Sequence, residues 1–178
     1  MQKNELNLDK LPTFLRDVNL LFLKRCNLKI ESYQLEKESS DYNAASLKLR
    51  EKQIIFRSAK ITPKKNGLFV TLWRRNKNGI TIPFHERDQF DIVIIEVRNL
   101  RRIGHFVFRK DILIKNGIIS SKKVGKRGFR IYPPWEIPSS KQAAVSQNWQ
   151  LEHFFEEKKE NVDDSLNLER IINFDSSK

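Results

Sequence analysis

Residues 90–97, FDIVIIEV, constrain the fold more than any other segment of this chain. Six of the eight are apolar, and they occupy both parities of the strand alternation. Such a strand has no polar face to offer to water, so it belongs in the middle of a sheet covered on both sides. Leu68–Arg74 (LFVTLWR) has the same two-faced character and is expected beside it in that sheet.

Shorter strand signals surround these two. Ala45–Leu49 and Gln53–Ser58 read as a hairpin about Arg50-Glu51-Lys52, and His105–Phe108 and Phe129–Tyr132 as short strands, the last stopped by Pro133-Pro134. Residues 7–26 carry Leu11, Phe14, Leu15, Val18, Leu21 and Phe22 at three- and four-residue spacings. That pattern predicts an amphipathic helix with Asp9 as N-cap and Pro12 in its first turn. A shorter helix is expected over Tyr33–Tyr42, a helical turn over Lys110–Lys115, and a third helix over 139–156, capped by Ser139 or Ser140. Helix, strand group, helix predicts an α+β (mixed α/β) fold, with a single central mixed β-sheet of five or six strands and helices on both faces. One globular basic domain is expected over residues 1–156, followed by an acidic, loosely packed or mobile tail over 157–178.

Charge is distributed unevenly over this frame. Between Lys48 and Arg130 there are 22 Lys or Arg against 6 Asp or Glu, an excess of 16, whereas the whole chain carries +12. Residues 151–178 hold 8 acids and 4 bases, and residues 1–47 hold 7 of each. A one-sided field costs self-repulsion, which a polyanion would offset. Aromatics stand among the same charges, a mixture suited to phosphate contact with base stacking. The acidic tail could fold over this basic region. The lone cysteine, Cys26, excludes a disulfide framework or a cysteine metal cluster within one chain. The start, MQKNELNLDKLPTFL, lacks the basic, apolar and small-residue succession of a signal peptide, and no apolar run reaches the ~18 residues of a membrane span. A cytoplasmic protein with no membrane partner is expected.

Enzyme signatures are absent from the sequence: there is no GxxxxGK[ST] loop, no GxSxG elbow and no HExxH pair. His85, His105 and His153 are far apart in sequence, and His105, opening an apolar strand, is expected to be structural. Metal-dependent nuclease chemistry needs acids that hold a divalent cation against the scissile phosphate, with a Lys near the attacking water. The candidates are Glu38, Asp91 and Glu96, but Asp91 and Glu96 lie on one strand and Arg98 stands where a Lys is wanted. The stronger elements are basic. Lys60, Lys64 and Lys65 flank a Pro-Gly turn, while Arg74 and Arg75 precede Asn78-Gly79. Lys126, Arg127 and Arg130 surround Gly125 and Gly128, which permit close backbone approach to a phosphate. Tyr132-Pro133-Pro134-Trp135 makes a stiff aromatic corner suited to bracing a helix or stacking a base.

These segments resemble a known family. Glu38-Ser39-Ser40-Asp41-Tyr42, Phe56-Arg57-Ser58-Ala59-Lys60-Ile61-Thr62-Pro63-Lys64, Gly67 through Arg75, Gly104 through Phe108, Gly125 through Trp135, and Lys141 to Gln150 identify the chain as similar to the MepB-like family of small bacterial proteins, over about residues 10–155. The resemblance implies a fold similar to restriction-endonuclease-like cores. It also marks Glu38, Tyr42, Arg57, Lys60, Thr62, Lys64, Thr71, Trp73, Arg127, Arg130, Tyr132, Trp135, Gln142, Gln147 and Trp149 as the motif positions.

The sequence thus points to a nucleic-acid-binding protein, DNA before RNA, acting electrostatically and largely without sequence specificity. The expected contacts are Arg57, Lys60, Lys64, Lys65, Arg74, Arg75, Lys126, Arg127 and Arg130, with Tyr132 and Trp135 stacking. One alternative is a divergent nuclease of the PD-(D/E)XK type, the only case in which a cofactor, Mg²⁺, would be expected. Another is a pocket for a small anionic or aromatic ligand built from Trp73, Tyr132 and Trp135.

Overall fold

Ile92–Arg98 forms strand β8, and its six apolar and acidic residues from Ile92 to Val97 are all buried, as a two-faced strand requires. The computed structural model describes residues 10–157, 167–168 and 170–172. Around β8 stand β1 (Ser32–Leu35), β2 (Ala45–Leu49), β3 (Lys52–Ser58), β9 (Ile103–Arg109) and β11 (Phe154–Glu156), in the order β1-β2-β3-β8-β9-β11. All neighbours are antiparallel except β3 and β8, which run parallel from Ile54↔Ile92 to Ser58↔Glu96. The α+β class and the mixed central sheet agree with the sequence reading.

A parallel pair needs a crossover, most often a helix. Here the crossover from Ser58 to Ile92 is itself β-structure. It contains β4 (Lys60–Thr62), β5 (Lys65–Thr71), β6 (Trp73–Arg75) and β7 (Thr81–Pro83). β5 pairs with β4 on one side and with β10 (Gly128–Ile131) on the other, giving a separate three-stranded sheet, while β6 and β7 form a hairpin. LFVTLWR therefore does not enter the central sheet. Leu68, Val70 and Leu72 are buried against it, while Phe69 and Thr71 turn outward.

Two cores lie on the two faces of the large sheet. Leu47, Ile54, Phe56, Ile94 and Val107 face the N-terminal helical segment, whose Leu11, Leu15, Val18, Phe22 and Leu23 cover them. Ile55, Val93, Ile95, Phe106 and Phe108 face the small sheet, α2 (Lys110–Lys115) and α3 (Lys141–Leu151). The second face is thus covered chiefly by a sheet, where the sequence suggested helices.

Local departures from the sequence reading have identifiable causes. The first helix is α-helical only over Thr13–Asp17 (α1). A π turn, Val18–Phe22, and a 3₁₀ turn, Leu23–Cys26, follow and end at left-handed Asn27. The wide turn lets consecutive Phe22 and Leu23 both face the sheet. Asp9, the expected cap, lies outside the described residues. Tyr33–Tyr42 is not a helix: Ser32–Leu35 pairs with Lys48–Ala45, and a 3₁₀ turn, Ser40–Tyr42, follows. Helix α3, capped by Ser140 Oγ on the Ala143 N–H, ends at Leu151. Phe154 and Phe155 then take up strand alternation, one packing on each core. The tail beyond Glu157 lies largely outside the described residues, but Leu168 and Ile172 are buried in the first core.

Candidate functional site

The outer face of the small sheet is built by register. Phe69 stands opposite Lys60 on β4 and opposite Arg130 on β10, so the three side chains cross the sheet in a line. Gly128 makes room for the ring: a Cβ there would meet the Phe69 ring at 2.6 Å. Arg130 donates to the carbonyls of Lys65, Asn66 and Gly67 and, at 2.7 Å, to Thr62 Oγ1. It therefore latches the β4–β5 turn without losing its charge to a carboxylate, and its guanidinium lies 6.0 Å from the Phe69 ring centre. The Ser40–Tyr42 turn brings a second ring to this face. Tyr42 meets Phe69 edge-on at 6.4 Å and receives Lys60 Nζ at 5.2 Å. The Thr71 and Ser39 hydroxyls are 3.2 Å apart. Lys64, Lys65, Lys126 and Arg127 are exposed around these residues. None of Lys60, Lys64, Lys65, Lys126, Arg127 and Arg130 has an ion-pair partner among the described residues. Of the acids beside it, Glu136 accepts from the Gly67 N–H and Asp41 stands exposed in the Ser40–Tyr42 turn.

A cleft adjoins this face, about 470 Å³ in volume, between β1–β3 and the β6–β7 hairpin. The arginines that line it, Arg74 and Arg75, are paired, and so is Arg57, whose partner Glu36 lines the cleft. Arg57, 1% exposed, holds Glu36 at 2.6 Å and donates to the Phe56 carbonyl. Burial lowers the Arg57 pKa, and Glu36 opposes that fall. Arg74 meets Asp88 at 2.6 Å, and Arg75 pairs with Glu38 while its guanidinium lies 5.6 Å from the Trp73 ring centre.

The model of the MepB-like family matches residues 36–156. This chain belongs to the MepB-like family. It is similar to the crystal structure of MepB at 32% identity and a TM-score of 0.70, covering 72% of this chain and 87% of that one. It is also matched, at 12% identity and a TM-score of 0.43 over 78% of this chain and 87% of the other, to a bacterial homing endonuclease, I-Ssp6803I, a likeness too low to carry an argument. No curated protein matches it. The family stretch opens at Glu36, partner of Arg57, and closes at Glu156, partner of Arg102, so it contains the outer face and all of the cleft lining but Gln34.

Within this MepB-like domain the residues singled out from sequence separate into groups. Lys60, Lys64, Lys65, Lys126, Arg127 and Arg130 come together on or around the outer face. Arg57 is buried, and Arg74 and Arg75 each meet an acid, so none of the three is the unpaired cation that the sequence led one to expect. Tyr132 is 8% exposed with its ring against Gly67, where a Cβ would meet it at 2.4 Å and φ is +77°. Trp135 lies under the Arg102 guanidinium at 4.6 Å and edge-on to Phe154. Neither offers a free face for a base, because each braces the link from β10 to α3. Gln150 reinforces that link, accepting from the Tyr132 N–H and donating to the Arg130 carbonyl. The pocket imagined from Trp73, Tyr132 and Trp135 does not form, since only Trp73 lines the cleft.

The nuclease acids do not converge. Asp91, just before β8, accepts from the Gln53 N–H, while Glu96 is buried near the other end of β8 and paired with Arg98 at 2.9 Å. Five residue steps along the strand separate them by about 17 Å and turn them to opposite faces. Glu38 is across the cleft on Arg75. These three residues do not fit a shared Mg²⁺, and among the described residues no three His, Cys, Asp or Glu form a metal-binding group. His105 is fully buried, stacked on Phe22 at 4.2 Å, and burial with the neighbouring Arg98 charge pushes its pKa down to about 3. Sequence reasoning missed Tyr42, Phe69, Thr71 and Ser39 as one surface. The even positions Leu68, Val70 and Leu72 against the odd Phe69 and Thr71 were the available signal for half of it.

Proposed function

We propose that the outer face of the small sheet binds the phosphate backbone of nucleic acid, DNA in the first place, electrostatically and with little sequence preference. The observation that carries this reading is the Lys60–Phe69–Arg130 line across three strands, surrounded by further cations that no carboxylate neutralises. Unpaired cations can release counterions from a phosphate chain, and rings between them suit base stacking. Lys60 stands over the Tyr42 ring, and Arg130 meets no carboxylate while its N–H groups hold the β4–β5 turn. A cytoplasmic setting accords with the single Cys26. Among the described residues no helix is long and apolar enough to cross a membrane.

The test is fluorescence anisotropy of labelled single- and double-stranded DNA at several salt concentrations. Binding on the order of micromolar at low salt is expected, weakening with a log–log slope of about −0.9 per phosphate contact. Absence of binding at low salt would reduce the basic face to a solvated surface.

A further inference from the structure

Resting on that reading, we propose that the cleft beside the basic face receives one unpaired base of the bound strand, with the adjoining phosphate on Arg75. Its volume of about 470 Å³ suits a nucleoside rather than a duplex end. Trp73, Phe84 and Phe90 line it, Phe84 edge-on to Phe90 and the Trp73 ring covered by Arg75 at 5.6 Å, so a base whose phosphate draws Arg75 away takes that place on Trp73. Base–aromatic stacking is tolerant of sequence, as the proposed function requires. At the mouth, the side-chain amides of Gln34 and Gln89 are exposed and have no hydrogen bond among the described residues. Amides of this kind can meet base edges as donor or acceptor.

Arg75 supplies the phosphate partner. Its pair with Glu38 is exposed on both sides, 49% and 43%, so solvent screens it and a phosphate can replace the carboxylate. Arg74 and Arg57 are less free, since Asp88 and the buried Glu36 contact hold them. The path to the cleft is continuous. Ser39 lines the cleft, and its hydroxyl bonds Thr71 on the outer face, beside the Phe69–Tyr42 ring pair. A strand lying along Lys60 and Arg130 therefore reaches the cleft mouth at Ser39, between Glu38, which Arg75 holds, and the exposed Asp41. A paired base cannot enter without leaving its stack, so single strands gain the contact at no unpairing cost.

The experiment compares a single-stranded oligonucleotide carrying central 2-aminopurine, the same strand with an abasic site there, its duplex, and free deoxyadenosine monophosphate. The expected result is a change in 2-aminopurine fluorescence on binding. Single strands should bind about tenfold tighter than the duplex or the abasic strand. Trp73→Ala should remove that tenfold advantage while leaving the salt slope intact, and Trp73→Phe should restore most of it. Equal binding of intact and abasic strands, with a steep salt slope retained, overturns the cleft and leaves the basic face standing. Free monophosphate competing as well as the oligonucleotide overturns delivery by a strand. No binding of any oligonucleotide at low salt overturns the basic-face reading and the cleft with it.

Discussion

Arg74 and Arg75 at the cleft, with Arg57 beneath its lining residue Glu36, and Lys60, Lys126, Arg127 and Arg130 on the outer face come from the same basic stretch of chain. At the cleft each arginine meets an acid: Glu36, Asp88 or Glu38. On the outer face the cations meet carbonyls, hydroxyls and rings, or only water. The first arrangement ties β3 to the segment after β1 and the β6–β7 hairpin to Glu38 and Asp88, and the second leaves charge available. Formal charge therefore overstates what a polyanion would feel, because part of the excess is spent inside the fold.

Glu36→Ala should have the largest effect on this contrast. It strands the buried Arg57 guanidinium and should cost about 3 kcal/mol of stability in urea unfolding, with DNA affinity per folded molecule unchanged. A loss under about 1 kcal/mol would show that water reaches Arg57 and that the cleft is no more structural than the face.

Reversing two free cations, Lys60→Glu with Lys126→Glu, should lower DNA affinity roughly 30-fold, flatten the salt slope by about two units and leave the melting temperature nearly unchanged. A large loss of stability instead would mean that the outer face, too, is held together by its charges.

Acid separates fold from face. The folded His105 pKa, near 3, lies below the unfolded value, so the unfolded chain binds the extra proton first. Stability from this group is complete above about pH 6.5 and falls by about 1.4 kcal/mol per unit toward pH 3. DNA affinity should stay level from pH 7 to 5, since Lys and Arg do not titrate there. His105→Phe, stacking on Phe22, should remove the acid slope; an unchanged slope would assign it to other groups.

Glu38→Gln should act least. It frees Arg75 at the cleft mouth, and a gain in DNA affinity of about two- to threefold is expected, with stability within about 1 kcal/mol of the parent. A fall in affinity would make Glu38 part of the interface itself.

Much of this was legible in the sequence because it depends on local pattern. FDIVIIEV had to be central, since it has no polar face, and Ser140 had to cap a helix. LFVTLWR was misplaced because a covered strand looks alike in a central sheet and in a second sheet packed against one. Tyr132 and Trp135 were misread because aromatic corners beside prolines serve bases and cores equally well. Only Gly67 and Arg102, far off in sequence, decide that they brace the fold.

The amino-acid sequence by itself determined the α+β class, the family, the central strand and the segment in which positive charge accumulates. The tertiary structure decided which of those charges remain free. Glu36 and Glu38 come from a charge-balanced region outside the basic stretch and reach arginines 21 and 37 residues away, and no local pattern records such a pairing. Composition counts charges, whereas the field at a surface depends on which opposite charge lies within a few ångströms, and that is settled only when distant segments pack.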